Sequence, residues 1–266
     1  MPASVLATPT LKEINSKIIT TFEKNVQIVN DLINFDRIVL STAITDLEKL
    51  SEKLKQHHKL DNPHLSVDKT LENLRNIQKN DSLRTHYGTI FNQALVLLVS
   101  HFASALSDVF VSSLTYGFQK KKLGHLKKEE MKLTFGELEK IIEVARKEIL
   151  AEVFSSKKEI SFQDMQSVYK AFKNYLHLTI TKDVNVNNII VSQACRHSIV
   201  HDGAIVNSKT LKQVEEVFPR NFKEQLVLDS EINLSLEEIM LIETSMMKYL
   251  ERIIAGLNGE FLEVSV

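Results

Sequence analysis

Residues 87–118 read YGTIFNQALVLLVSHFASALSDVFVSSLTYGF. Within this run Phe91, Ala94, Leu95, Leu98, Phe102, Ala105, Leu106, Val109 and Phe110 recur at three- and four-residue steps. That is the period of an α-helix, not the two-residue alternation of a strand. The apolar face is broad, so the helix is expected inside a bundle with neighbours on more than one side. His101 falls within it and reads as a hydrogen-bonded interior imidazole before it reads as a ligand. As a membrane span, Ile90 to Leu114 reads poorly, because Asn92, Gln93, His101 and Asp108 interrupt it.

The flanking sequence keeps the helical period. Upstream, Leu11, Ile14, Ile18, Phe22, Val26, Val29, Ile33, Leu47, Leu50 and Leu54 predict one long helix from Leu11 to about Leu60, started by Thr8-Pro9. Asp61-Asn62-Pro63 breaks it. A short return helix is expected from about Ser66 to Lys79, with Leu71, Leu74 and Ile77 on one face. These first 80 residues read as a helical arm that packs on its own domain or on a partner. Downstream, Thr134 and Glu137 form a capping box opening a helix to about Phe154. Ser161 and Asp164 open the next, through Val168, Phe172, Tyr175 and Leu176. Asp183 or Asn185 caps another, which ends near Gly203. After an irregular piece around Pro219, with an extended-looking Leu226 to Ile232, Ser235 and Glu238 cap a last helix to Gly256.

Composition narrows the function classes. Gly (7) and Pro (4) together are about 4% of the 266 residues, against a usual ~12%. That argues against sandwiches, barrels, Rossmann folds and Gly-rich phosphate loops. The net charge of −1 excludes a global field drawing the chain onto polyanions, so any such contact is local. Cys195 is the single cysteine, which excludes an internal disulfide and a multi-cysteine metal site. Met1 to Thr10 lacks the pattern of a secretory signal. A soluble, cytoplasmic protein is expected, without membrane contact.

Two polar clusters carry the functional argument. In 119–128, Lys120, Lys121, Lys122, Lys127 and Lys128 surround Gly124. They read either as a solvated connector or as a contact for a phosphate backbone. The second cluster, Cys195-Arg196-His197-Ser198-Ile199-Val200-His201-Asp202-Gly203, ends an otherwise apolar helix. Arg196 and His201 could act on a phosphodiester, the guanidinium gripping phosphate oxygens and the imidazole moving a proton. RNA supplies its own 2′-OH nucleophile, so no metal is required. Five helical steps place the two side chains roughly 140° apart and about 7.5 Å along the axis. Their convergence requires a tightened helix, a wrapped Arg side chain or a second subunit. Alternatively, His197 and His201, four apart, could hold a metal, although the glutamate of a His-Glu-x-x-His motif is absent. In a third reading the cluster caps the helix and pairs with carboxylates.

Arg196-His197-Ser198-Ile199-Val200-His201-Asp202-Gly203, followed by Ala204-Ile205-Val206, resembles the Arg-polar-x-x-x-His signature of HEPN domains. It is most similar to the HEPN-like ribonucleases of prokaryotic toxin and abortive-infection systems. The resemblance spans roughly residues 81–258. It implies an all-α HEPN-like helical bundle at 81–266 behind an N-terminal arm at 1–80. It implies a homodimer whose two motifs share a cleft, and metal-independent RNA cleavage, without a cofactor, by 2′-OH attack. His201 would be the general acid/base, Arg196 would hold the scissile phosphate, and His197 would orient either one. An antitoxin or other regulatory protein is a further expected partner. Some members of the family bind without cleaving, so a non-catalytic helical interaction or RNA-binding module is the alternative.

Overall fold

The structure, a computed structural model, describes residues 10–56, 67–80, 87–144 and 147–262. The start signal at Thr8-Pro9 and the break at Asp61-Asn62-Pro63 lie outside them. The fold is all-α: α1 (Leu11–Gln56), α2 (Asp68–Asn80), α3 (Tyr87–Gln119), α4 (Phe135–Val144), α5 (Lys147–Lys157), α6 (Met165–Leu176), α7 (Val184–His201), α8 (Ser208–Val214) and α9 (Leu236–Leu262), with a 3-10 turn at Gly124–Lys128. Among the described residues the only β-like feature is an isolated antiparallel bridge between Ile205 and Glu231.

Capping boxes set three of the starts. Thr134 and Glu137, and Ser235 and Glu238, satisfy each other's backbone N–H groups as the sequence predicts. Thr10 and Glu13 do the same for α1. α8 is an addition to the sequence reading. Asn207 caps it by accepting from the Thr210 N–H at 2.9 Å, and its seven residues are too few to show a period.

α3 is the central helix, packed by α1, α5, α6, α7 and α9. Phe102 lies between Phe22 of α1 (6.0 Å between centroids) and Tyr249 of α9 (5.9 Å). Phe110 meets Phe162 and Phe172 at 5.6 and 5.4 Å. Each such ring is worth about 1.5–3 kcal/mol of burial and ~0.5–1.5 kcal/mol more for the edge geometry. By length and composition α3 is apolar enough to cross a membrane, contrary to the sequence reading of Ile90–Leu114. In this fold 56% of the most apolar 18-residue window within Gly88–Gln119 is buried by neighbouring protein, as in the core helix of a bundle. His101 is only half-buried, not interior as the sequence reading has it.

The core runs across the boundary expected at residue 80. Leu11, Phe22, Val29 and Ile33 of α1 belong to the same buried cluster as α3, α7 and α9. The later part of α1 pairs with α2, where Ser51 hydrogen-bonds Asp68. The expected single helix from Thr134 to Phe154 is described as α4 and α5, with residues 145–146 outside the description.

α7 carries the polar cluster and is held along its whole length. Asp183 caps its start, accepting from the Val186 N–H at 2.9 Å, and pairs with Arg252 of α9 at 2.8 Å. Burial pushes the Asp183 carboxyl up, but the Val186 N–H, Asn185 and Arg252 outweigh it and hold the group below its usual range. A lowered folded-state value means stabilisation that is present above the ordinary carboxylate range and lost as pH falls through the folded value. Asp183→Asn is therefore expected to lower the melting temperature at neutral pH, and to differ less and less from the parent as pH falls below the ordinary carboxylate range. Thermal denaturation across pH reads this directly; a difference that persists in acid would show that charge is not the cause.

Candidate functional site

The inward stripe of α7, including Val191, Ser192, Cys195 and Ser198, is buried. Burial pushes the Cys195 thiol up to about 12, so it is not a thiolate nucleophile at neutral pH. Ser198 is tied to Thr210 of α8 at 2.6 Å. The helix stays α-helical to His201, and Asp202 caps it. Gly203 and Ala204 then adopt φ of +62° and +64° and turn the chain away. Gly203 suits that left-handed position because it has no Cβ. Asp202 is engaged by Asn207 at 2.8 Å.

The outward side of α7 faces a groove walled by α6 and α8, with a cavity volume of about 1170 Å³. Arg196 and His197 line it; His201 does not. The Arg196 Nη1 donates to the Gln163 amide oxygen at 3.3 Å, and its Nε is buried without a partner. Among the described residues no carboxylate pairs with this guanidinium, so its charge stays available to a ligand. The neighbouring Gln193 accepts from the Met165 N–H, while its own Nε2 is buried and unpartnered.

His201 is exposed and continues the His197 stripe one turn beyond the groove wall; the two rings are 4.7 Å apart. Desolvation, then the charges of Lys209 and His201, hold His197 below the usual imidazole value. It is therefore mainly neutral near pH 7, and its ring lies beside that of His201. Arg196 and His201 do not converge within one chain, because a regular helix keeps them roughly 140° apart. Among the described residues there is no group of three or more His, Cys, Asp or Glu placed to hold a metal.

The lysine cluster lies elsewhere. Lys120, Lys121, Lys127 and Lys128 are exposed, and Lys122 is half-buried. The segment is not the wholly exposed loop that the sequence predicts: Leu123 and Leu126 are buried and pin the 3-10 turn. His125 donates from Nε2 to the Tyr175 carbonyl at 3.2 Å and sits 3.9 Å, ring to ring, from His177. The turn thus abuts the C-terminal end of α6, whereas Gln163 and Arg196 mark its N-terminal end.

Sequence reasoning missed the rest of the groove: Tyr169, Lys170 and Lys173 of α6, Lys182, and Lys212 of α8. A signal for the α6 residues was present. Gln166, Lys170, Lys173 and Asn174 follow the 3.6-residue period on the face opposite Val168, Phe172 and Leu176, and all four are exposed.

Compared with known proteins, the chain matches no family model, no curated protein and no solved structure.

Proposed function

We propose that the protein is a metal-independent endoribonuclease of HEPN type that acts as a homodimer in the cytoplasm, in the manner of a toxin or defence effector held in check by a regulatory partner. The observation that carries this reading is Arg196, a guanidinium without a carboxylate partner among the described residues, on the wall of a groove whose charged lining is mainly basic. Such a group grips a phosphate in a bidentate fork. The reaction needs a base to take the proton of the ribose 2′-OH as its oxygen bonds to phosphorus. It also needs an acid to protonate the departing 5′-oxygen as the P–O5′ bond breaks. The products are a 2′,3′-cyclic phosphate and a 5′-hydroxyl. His201 fills the proton-transfer role because it is exposed, and an imidazole can both take up and give back a proton. His197 positions it, with its ring alongside.

Geometry supports the dimer. A regular α7 holds Arg196 and His201 roughly 140° apart and Arg196 is turned to Gln163, so in this reading a second copy supplies the missing group. Val200 on α7, Ile205 just after it, and Val227 and Leu228 are exposed apolar side chains. The segment bearing the last two is pinned to Val206 by the Ser230 carbonyl and the Asp229 N–H, next to the end of α7. Pairing of two copies there would remove apolar surface from water at about 25 cal/mol per Å².

The test is incubation of the purified protein with a broad panel of RNAs, with and without EDTA, alongside its mass in solution. Cleavage that survives EDTA and leaves cyclic phosphates from a dimer is the expected result. Loss of cleavage with EDTA would revive a metal at His197 and His201, and no cleavage of any RNA would leave a helical interaction module.

A further inference from the structure

We propose that a single-stranded RNA runs along the outer face of α6, from the lysine turn at its C-terminal end to Arg196 at its N-terminal end. This rests on the RNA reading above but not on cleavage. The observation is one of alignment. Arg196 reaches Gln163 just before α6, and His125, within the lysine turn, is fixed to Tyr175 and lies against the tilted ring of His177 immediately after the last turn. Between these ends α6 presents Gln166, Lys170, Lys173 and Asn174 outward on one stripe. Two basic clusters far apart in sequence are therefore the two ends of one polar helix face.

The dimensions suit a strand. Twelve residues of α6 span about 18 Å, which is about five stacked nucleotides at ~3.4 Å each. Charge favours the phosphates on the α6 side. Lys170 and Lys173 line that wall, whereas the α8 side sets Glu215 and Glu216 against the single cation of Lys212, and Asp164 is occupied in accepting the Gln166 and Ser167 N–H groups. The half-buried Tyr169 ring also lines the groove, with the Lys173 ammonium 5.8 Å from its centroid. An aromatic ring beside a row of cations can bind an unpaired base by stacking, which a duplex does not offer.

The experiment measures binding of a fluorescent 12-nucleotide mixed-sequence RNA to full-length protein carrying His201→Ala, so that the probe is not consumed. Lys170→Glu with Lys173→Glu, and separately Lys127→Glu with Lys128→Glu, are each expected to weaken binding at least about tenfold at low salt. Each pair should flatten the slope of log affinity against log salt by about 1.4, the value for two phosphates of a single strand. Lys17→Glu with Lys24→Glu, on α1, is the control for net charge, and Lys→Gln versions of both test pairs are expected to show the same slope change with a smaller loss. Duplex RNA of the same length should compete at least about tenfold less well than the single strand. Effects no larger than the control, equal competition by duplex, or no binding by the parent would overturn the track. Binding with the expected pattern in a protein that cleaves nothing would sink the nuclease alone. Cleavage that depends on Arg196 but ignores all four lysines would sink the track alone.

Discussion

Arg196→Ala and His201→Ala are each expected to lower RNA cleavage by about 10²–10⁴-fold, the usual worth of a positioned proton-transfer group or of a charge clamp on a developing oxyanion. The double variant should be little worse than either single one, because the two groups act on one phosphate. Neither change should cost much stability. His201 is exposed, and Arg196 gives up only a 3.3 Å contact to an amide. Shifts within roughly 0.5 kcal/mol are the expectation for such positions. A large drop in melting temperature would mean that these side chains hold the helix together, and the structural account of the cluster would prevail. Mixing is the sharper test. If each site takes Arg196 from one protomer and His201 from the other, a heterodimer of the two inactive variants contains one intact pair. Co-refolded or co-expressed variants should then recover a substantial part of the parent activity. No recovery, with heterodimers shown to form, would place both groups in one chain and contradict the regular helix that separates them.

How much of this was legible in the sequence depends on the range over which each feature is written. Helices announce themselves locally. The three- and four-residue steps of Phe91 to Phe110 and the Thr-x-x-Glu and Ser-x-x-Glu boxes suffice for α3, α4 and α9. Seven residues at Ser208–Val214 fall below that range, and only Asn207, a good cap, hints at α8. The arm reads as separate because Asp61-Asn62-Pro63 breaks the pattern and the family resemblance begins only near residue 81, yet one narrow stripe carrying Phe22, Val29 and Ile33 is enough to join it to the core. Arg196 and His197 stand out because charge in an apolar helix demands a reason. The groove does not stand out, because its walls come from α6, α7 and α8 and exist only once those helices pack. Lys120 to Lys128 were visible as a charged run but not as a neighbour of α6. That adjacency depends on Leu123 and Leu126 being buried and on His125 meeting Tyr175.

Asn188→Ala is expected to destabilise the fold by about 2–4 kcal/mol, one of the largest costs available to a polar substitution. Asn188 is 1% exposed on α7. Its Oδ1 accepts from the backbone N–H groups of Asn221 and Phe222 at 2.9 and 3.0 Å, and its Nδ2 donates to the Ser245 hydroxyl of α9 at 3.2 Å. One amide thus fastens the segment after α8 to two helices. Alanine leaves two donors without an acceptor, the Phe222 N–H in the interior, where water does not replace the lost bond. Ser245→Ala removes only one partner and should cost about 1 kcal/mol. For a chain of this size each kcal/mol lowers the melting temperature by roughly 2–4 °C, so the two variants separate clearly in a thermal scan. Equal costs would show that the Asn221 and Phe222 contacts contribute nothing. The same segment continues to Val227–Ser230 and pairs with Val206 just past His201. Loosening it at Asn188 should therefore depress RNA cleavage at 25 °C, well below melting, while Ser245→Ala leaves cleavage near the parent rate.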